Sequence, residues 1–206
     1  IHSYPDGEDE SGADLSIHEI ADVLRAQGSR PYVIPLAPGH PPLGALGYVV
    51  AAQEIVSQLT AMDQAVSEIV VASGSGHTHA GLLFGLRMLG SSIRVLGICV
   101  RRDSGAQALR IRARCREISQ LLEVQSPVTD ADIYLLDDFL APGYGQLNPP
   151  TREAIKLGAH HEALLLDPVY TGKSFAGCLQ RAQELDSQDT LLFVHTGGTP
   201  GIFAYG

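Results

Sequence analysis

Short, uninterrupted apolar runs alternate with amphipathic stretches along most of this chain, and that alternation restricts the fold more than any other feature. Residues 68–72, 94–100, 133–136 and 191–194 are runs such as Ile69-Val70-Val71 and Val95-Leu96-Gly97-Ile98, bounded by small or polar residues. Without the polar alternation of a half-solvated strand, they predict strands covered on both faces. Apolar residues at helical spacing predict helices over 16–27, 46–62, 80–89, 106–122, 152–157 and 175–184, the first ended by Gly28. A further short strand is expected over 31–35, followed by a rigid loop, Ala37-Pro38-Gly39-His40-Pro41-Pro42. Strand and helix in turn predict an α/β fold of three layers, with helices on both faces of a mostly parallel sheet. Ligands of such sheets collect at the carboxyl ends of the strands, so the chemistry is expected in the loops there.

Several function classes are disfavoured. A chain of 206 residues with 45% hydrophobic content suits one well-buried core. Its net charge of -9 opposes a nucleic-acid footprint, which demands clustered cations. The one basic cluster, Arg110, Arg112, Arg114 and Arg116, alternates with apolar residues and is expected to be a solvated helix face. Cys99, Cys115 and Cys178 lack CxxC spacing, which predicts neither disulfides nor zinc and suits a reducing cytoplasm. No apolar run reaches the roughly 18 residues of a membrane helix, and no basic-then-apolar signal pattern opens the chain. His77 with His79, and His160 with His161, lack the spacing and acidic companion of a helical zinc site; they are expected at the surface or in loops, with no metal. No GxSxG nucleophile elbow supports a hydrolase.

Three segments are chemically suggestive. After the strand at 68–72 comes Ser73-Gly74-Ser75-Gly76-His77-Thr78, whose small residues and following helix start could curl around an anion. It is neither a Walker loop nor a dinucleotide fingerprint, and an ordinary strand-to-helix turn explains it equally well on spacing alone. His195-Thr196-Gly197-Gly198-Thr199-Pro200-Gly201 is a second glycine-rich loop after a strand, and Asp167-Pro168-Val169-Tyr170-Thr171-Gly172-Lys173 gathers a phenol, a hydroxyl and an ammonium at a turn. In the third, Asp167 and Pro168 could simply end a strand while Thr171 caps a helix.

Together with Pro42-Leu43-Gly44-Ala45-Leu46-Gly47-Tyr48, these motifs closely resemble, in order, the 1-aminocyclopropane-1-carboxylate deaminase/D-cysteine desulfhydrase family. These are fold-type-II pyridoxal-phosphate (PLP) enzymes related to the tryptophan synthase β-subunit. The resemblance implies that Ser75, Gly76, His77 and Thr78 hold the cofactor phosphate, with the His77 imidazole turned away and only its backbone N–H serving. It implies substrate-side tyrosines at Tyr170 and Tyr144, cofactor contacts from Thr171, Thr196 and Gly197, and a small amino-acid substrate for a cytoplasmic homodimer. Deaminases of the family carry glutamate at the Thr171 position and an apolar residue at the Thr196 position. The two threonines therefore favour β-elimination of the D-cysteine desulfhydrase type, giving pyruvate and ammonia, because a neutral hydroxyl leaves the cofactor a shallower electron sink. The alternatives are cyclopropane-amino-acid deamination and a non-catalytic PLP- or phosphate-binding subunit.

The resemblance further implies that residues 1–36 are the end of the family's smaller domain and 37–206 its larger, PLP-binding domain. The family bonds PLP through a lysine in an N-terminal Gly-Asn-Lys type motif that is not in this sequence. Its two lysines, Lys156 and Lys173, fall in C-terminal motifs, the first expected to be solvated and the second to cap or pair locally. The acidic start, Pro5-Asp6-Gly7-Glu8-Asp9-Glu10, matches a loop near the end of the smaller domain. The expectation is thus a cleaved or shortened chain, half of a split enzyme, or a lysine-free binder, the first two favoured because the phosphate contacts are kept. The chain alone is expected not to turn over.

Overall fold

The computed structural model describes residues 2–4, 10–37 and 39–205; the acidic start at residues 5–9 and Pro38 of the expected loop lie outside them. The chain divides into two compact units, Ile1–Pro41 and Pro42–Gly206.

Among the described residues, the first unit holds one helix, α1 (Ser11–Ala26). The segment expected as a strand at 31–35 is irregular instead. Pro31 and Pro35 remove two ladder donors, and the amides of Leu36 and Ala37 turn to the buried Asp14 carboxylate at 2.9 and 2.7 Å.

The second unit runs α2 (Leu43–Ala61), β1 (Glu68–Ser73), α3 (His77–Met88), β2 (Arg94–Cys99), α4 (Ser104–Leu122), β3 (Tyr134–Leu136), α5 (Pro149–Glu162), α6 (Thr171–Glu184) and β4 (Leu191–Phe193). The strands form one parallel sheet in the order β3-β2-β1-β4. Alternate side chains leave opposite faces of a strand. Ile69, Val71 and Val95 accordingly join Leu82, Leu83, Phe84, Ile111 and Ile118 of α3 and α4, with Ala45 and Ala52 of α2 behind them. Val70, Leu96 and Ile98 pack on the other face against Ala154 of α5 and Ala176 and Cys178 of α6. This is the expected three-layer arrangement. Gly81 and Gly85 let α3 lie directly on α2: a Cβ on Gly85 would stand 2.6 Å from the Val49 carbonyl oxygen.

Helix starts follow their caps. Asp103 accepts the Ala106 amide at 2.8 Å and opens α4; Asn148 accepts the Thr151 amide at 2.9 Å and opens α5 ahead of Pro149. The basic cluster on α4 is not a solvated face. Arg110 and Arg114, four apart, share one inward side and are 7% and 1% exposed, whereas Arg116 faces out. Alternation at every second residue is not a helical period, so it splits the four arginines between two sides.

The chain passes from β1 to β2 to β3 in one direction across the sheet, then returns to place β4 on the far side of β1. That reversal is a topological switch point, and in open α/β sheets the crevice outside such a point is where ligands bind. The loops after β1 and β4 flank it.

Candidate active site

At the carboxyl end of β1, Gly76 (φ 90°) occupies the N-cap position of α3 with no side-chain cap. The first amides of a helix lack intrahelical acceptors and carry the positive end of its dipole, so this turn presents N–H groups outward. A left-handed φ strains any residue with a Cβ, and here a Cβ would also press on Ile111 at 3.2 Å. The loop after β4 is built alike: Gly197 (φ 107°) and Gly198 (φ 84°) are both left-handed.

Between the loops lies a cavity of about 240 Å³, lined by Tyr48, Gly74, Ser75, Gly76, Thr78, Tyr170, Thr196 and Gly197 among others. A larger hollow of about 430 Å³ around Val56, Leu59 and Ile93 lies at the other end of the sheet, away from the loops of the switch point. Of the residues expected to form a site, Ser75, Gly76, Thr78, Tyr170, Thr196 and Gly197 meet at the first cavity. His77, Tyr144 and Thr171 do not line it. The His77 ring turns to the Ser75 hydroxyl at 3.4 Å. Tyr144 reaches the site indirectly, its hydroxyl bonded to that of Tyr170 and its ring edge-on to the other at 6.1 Å. Burial first, and that hydrogen bond second, hold the Tyr170 phenol well above its usual range, so it stays protonated. The Arg101 guanidinium stands 5.3 Å from the Tyr144 ring centre.

Thr171 is fully buried, and its hydroxyl is engaged elsewhere: it donates to the Asp167 carboxylate at 2.7 Å and accepts the Asp167 amide at 2.8 Å. Its comparison with a pyridine-side glutamate therefore describes a sequence position rather than a hydroxyl turned to the cavity. The Gly197 amide is likewise engaged, donating to the His195 imidazole Nδ1 at 3.3 Å, so Gly197 contributes open backbone rather than a donor.

Sequence reasoning missed two residues here. Tyr48 of α2 lines the cavity. Asp167, 1% exposed, organises the turn before α6, its carboxylate accepting the amides of Val169, Tyr170 and Thr171, each at 2.8 Å. It thereby aims Tyr170. Gly198 makes room for it, since a Cβ there would stand 2.6 Å from Asp167 Oδ1. Asp at the head of a turn was a visible signal, but the fold had to bring the second loop to it.

Lys173 does not pair locally. Fully buried at the start of α6, its ammonium donates to the carbonyls of Leu140 and Gly143 at 3.1 and 2.9 Å and ties down the segment carrying Tyr144. Desolvation lowers its pKa. Lys156 is exposed and paired with Glu153 at 2.8 Å. His79 is a core residue rather than a loop histidine, 0% exposed and hydrogen-bonded to Ser73 at 3.1 Å. Burial pushes the thiols of Cys99 and Cys115 up to about 12 and that of Cys178 to about 11, so none is a ready nucleophile at neutral pH. Among the described residues no cluster of three or more His, Cys, Asp or Glu could hold a metal ion, and no helix is long and apolar enough to cross a membrane.

A helix start facing a second glycine turn, with hydroxyls between them and a phenol at the rim, is a fitting cradle for a phosphorylated ring. The family model for pyridoxal-phosphate dependent enzymes matches residues 2–197. The chain belongs to that family. It is 45% identical over 191 residues to the D-cysteine desulfhydrase of Klebsiella pneumoniae (strain 342), covering 92% of this chain and 57% of that protein. It is 44% identical over 194 residues to the D-cysteine desulfhydrase of Salmonella typhi, covering 93% and 58%. A solved structure described as an ACC deaminase homologue superposes with a TM-score of 0.80 at 38% identity, over 98% of this chain and 60% of that one. The Helicobacter pylori O-acetylserine dependent cystathionine beta-synthase, at 20% identity and a TM-score of 0.59, shares the fold. The fold is that of the fold-type-II PLP enzymes. The chain spans somewhat more than half the length of the curated relatives it matches.

Proposed function

We propose that this chain is the PLP-gripping portion of a D-cysteine desulfhydrase-type lyase, which eliminates the β-substituent of a small amino acid to give pyruvate and ammonia. Residues 37–206 would correspond to most of the larger domain and residues 1–36 to the end of the smaller one, close to the division of the compact units at Pro41 and Pro42. The lysine that bonds the cofactor would lie outside these 206 residues, on the same polypeptide or on a partner chain. The supporting observation is the convergence of Ser75, Gly76 and Thr78 with Thr196 and Tyr170 on one cavity at the switch point.

In this reading the amides of Ser75, Gly76, His77 and Thr78 and the hydroxyls of Ser75 and Thr78 hold the phosphate, and Thr196 stands as a neutral neighbour of the ring. When bound, PLP supplies an electron sink for the α-carbon of the amino acid. Tyr170, held protonated and braced by Tyr144, orients the substrate or donates a hydrogen bond to the departing group. The Thr171 position, where the deaminases carry glutamate, holds a neutral hydroxyl bonded to Asp167, so no carboxylate from that position would fix a proton on the pyridine nitrogen, which favours elimination over cyclopropane opening. Homodimerisation and a cytoplasmic setting belong to the same proposal.

The test is to assay the protein together with its lysine-bearing portion against D-cysteine and 1-aminocyclopropane-1-carboxylate. Pyruvate formed at least ten times faster than 2-oxobutyrate is expected, about 1.4 kcal/mol of discrimination. Faster 2-oxobutyrate release would establish the deaminase instead. PLP binding without either product would leave a binding subunit.

A further inference from the structure

The face of the Ser73–Ser75 loop turned away from the cavity is fully occupied. Arg102 donates to the Gly74 carbonyl at 3.1 Å. Gln107 of α4, 0% exposed, uses one amide nitrogen for both the Gly74 carbonyl at 3.1 Å and the Ser73 hydroxyl at 2.9 Å. One turn further along α4, Arg110, 7% exposed, donates through Nε to the Ser75 carbonyl at 3.1 Å. None of the three lines the cavity.

From this we infer that Arg102, Gln107 and Arg110 are positioning residues that set the direction of the phosphate-binding amides by holding the loop's carbonyls from behind. A trans peptide is planar, with its C=O and the following N–H pointing in opposite directions. Drawing the Gly74 and Ser75 carbonyls towards α4 therefore turns the N–H groups of Ser75 and Gly76 the other way, towards the cavity. In a glycine-rich loop nothing intrinsic favours this orientation, because Gly74 and Gly76 can rotate at little steric cost. A flipped plane would put a carbonyl oxygen where an anion is to bind, replacing attraction with repulsion. The clamp fixes the donor set before the ligand arrives, which is the condition for fixed dipoles to bind an anion without reorganisation. Charge is secondary: the neighbouring Arg114 is answered by Glu117 at 2.7 Å, and one of the three clamps, Gln107, is neutral.

The inference rests on the phosphate reading of this loop, and the test separates the two. Dissociation constants for PLP and for pyridoxal, which lacks the phosphate, are measured by absorbance titration on the protein with its lysine-bearing portion, together with competition by inorganic phosphate. Arg110→Gln places an amide nitrogen where Arg Nε now stands and keeps the donor without the charge; Arg110→Met and Gln107→Met remove the donors at similar length. The Met variants are expected to weaken PLP at least about tenfold, the worth of one hydrogen bond to a charged group, with pyridoxal affinity unchanged. Arg110→Gln is expected to stay within about threefold of the parent, under 1 kcal/mol. Losses shared by PLP and pyridoxal would reveal mere structural damage and overturn the clamp, as would Arg110→Gln losing as much as Arg110→Met. If Met variants bind like the parent, the clamp fails while the phosphate cup stands. A parent that binds PLP no better than pyridoxal and is indifferent to phosphate sinks the cup itself, and the clamp with it.

Discussion

Acidification from pH 7 to pH 5 is expected to destabilise this protein by about 2 kcal/mol through one side chain, His79. The imidazole sits wholly buried where α3 leaves the β1 loop, and Gly97 of β2 is a glycine because the ring lies against it. The Ser73 hydroxyl accepts the Gln107 amide and meets His79 Nδ1 at 3.1 Å, a single hydrogen bond that either neutral tautomer of the ring can make. Burial is the main cause that lowers its pKa from 6.5 to about 4, with the Val95 backbone pulling weakly the other way. The unfolded chain therefore takes up a proton near pH 6.5 that the folded chain refuses until about pH 4. Stability from this group is full above the unfolded value and is lost progressively across that interval, reaching about 3 kcal/mol in all at 1.36 kcal/mol per pH unit. Urea unfolding at pH 7, 6 and 5 on the parent and on His79→Met measures it. The substitution lowers stability everywhere by removing a packed, bonded ring, but it should flatten the pH dependence by about 2 kcal/mol between pH 7 and 5. Carboxylates held low, such as Glu68 between Arg181 and Arg94, act equally in both proteins and cancel. Parallel pH profiles for the two proteins, or an NMR titration of His79 centred near 6.5, would refute the reasoning.

Three further outcomes are expected. Gly85→Ala should destabilise by about 1–3 kcal/mol by driving a methyl into the Val49 carbonyl, whereas Gly47→Ala, in open space on α2, should be neutral or stabilise by up to about 1 kcal/mol; thermal denaturation distinguishes them, and equal effects would contradict the close α2–α3 contact. Thr171→Val should cost about 1–3 kcal/mol by removing the buried hydroxyl that donates to the Asp167 carboxylate and accepts the Asp167 amide, while Thr196→Val should change stability by less than about 0.5 kcal/mol and act on PLP affinity; chemical denaturation paired with PLP titration checks the division. Lys173→Met should leave the Leu140 and Gly143 carbonyls unpaired at about 1–3 kcal/mol and raise amide hydrogen exchange through residues 138–146, with unchanged exchange counting against the tether.

The layers of this fold were legible because burial on both faces leaves a direct mark. Ile69-Val70-Val71 and Val95-Leu96 cannot alternate with polar residues if one face meets α3 and α4 and the other meets α5 and α6. The two glycine loops were legible for a local reason as well, since left-handed backbone at Gly76, Gly197 and Gly198 selects glycine whatever surrounds it. The expected strand at 31–35 failed because its apolar composition said nothing of where its amides would go, and Asp14, over twenty residues earlier, took those of Leu36 and Ala37.

By itself, then, the sequence determined an α/β class, a parallel sheet, two glycine-rich turns and a family likeness, all of which depend on short-range pattern or on several motifs in order. Only the tertiary structure decided which side chains serve the site and which support it. It buried Arg110 and His79 where a solvated face and a loop were expected, and turned the Thr171 hydroxyl to Asp167. It also sent the Lys173 ammonium to carbonyls thirty and thirty-three residues away. The roles of Arg110 and Lys173 depend on hydrogen bonds between groups thirty or more residues apart, and those of His79 and Thr171 on which side chains the packed layers bury, neither of which local spacing encodes before the chain has folded.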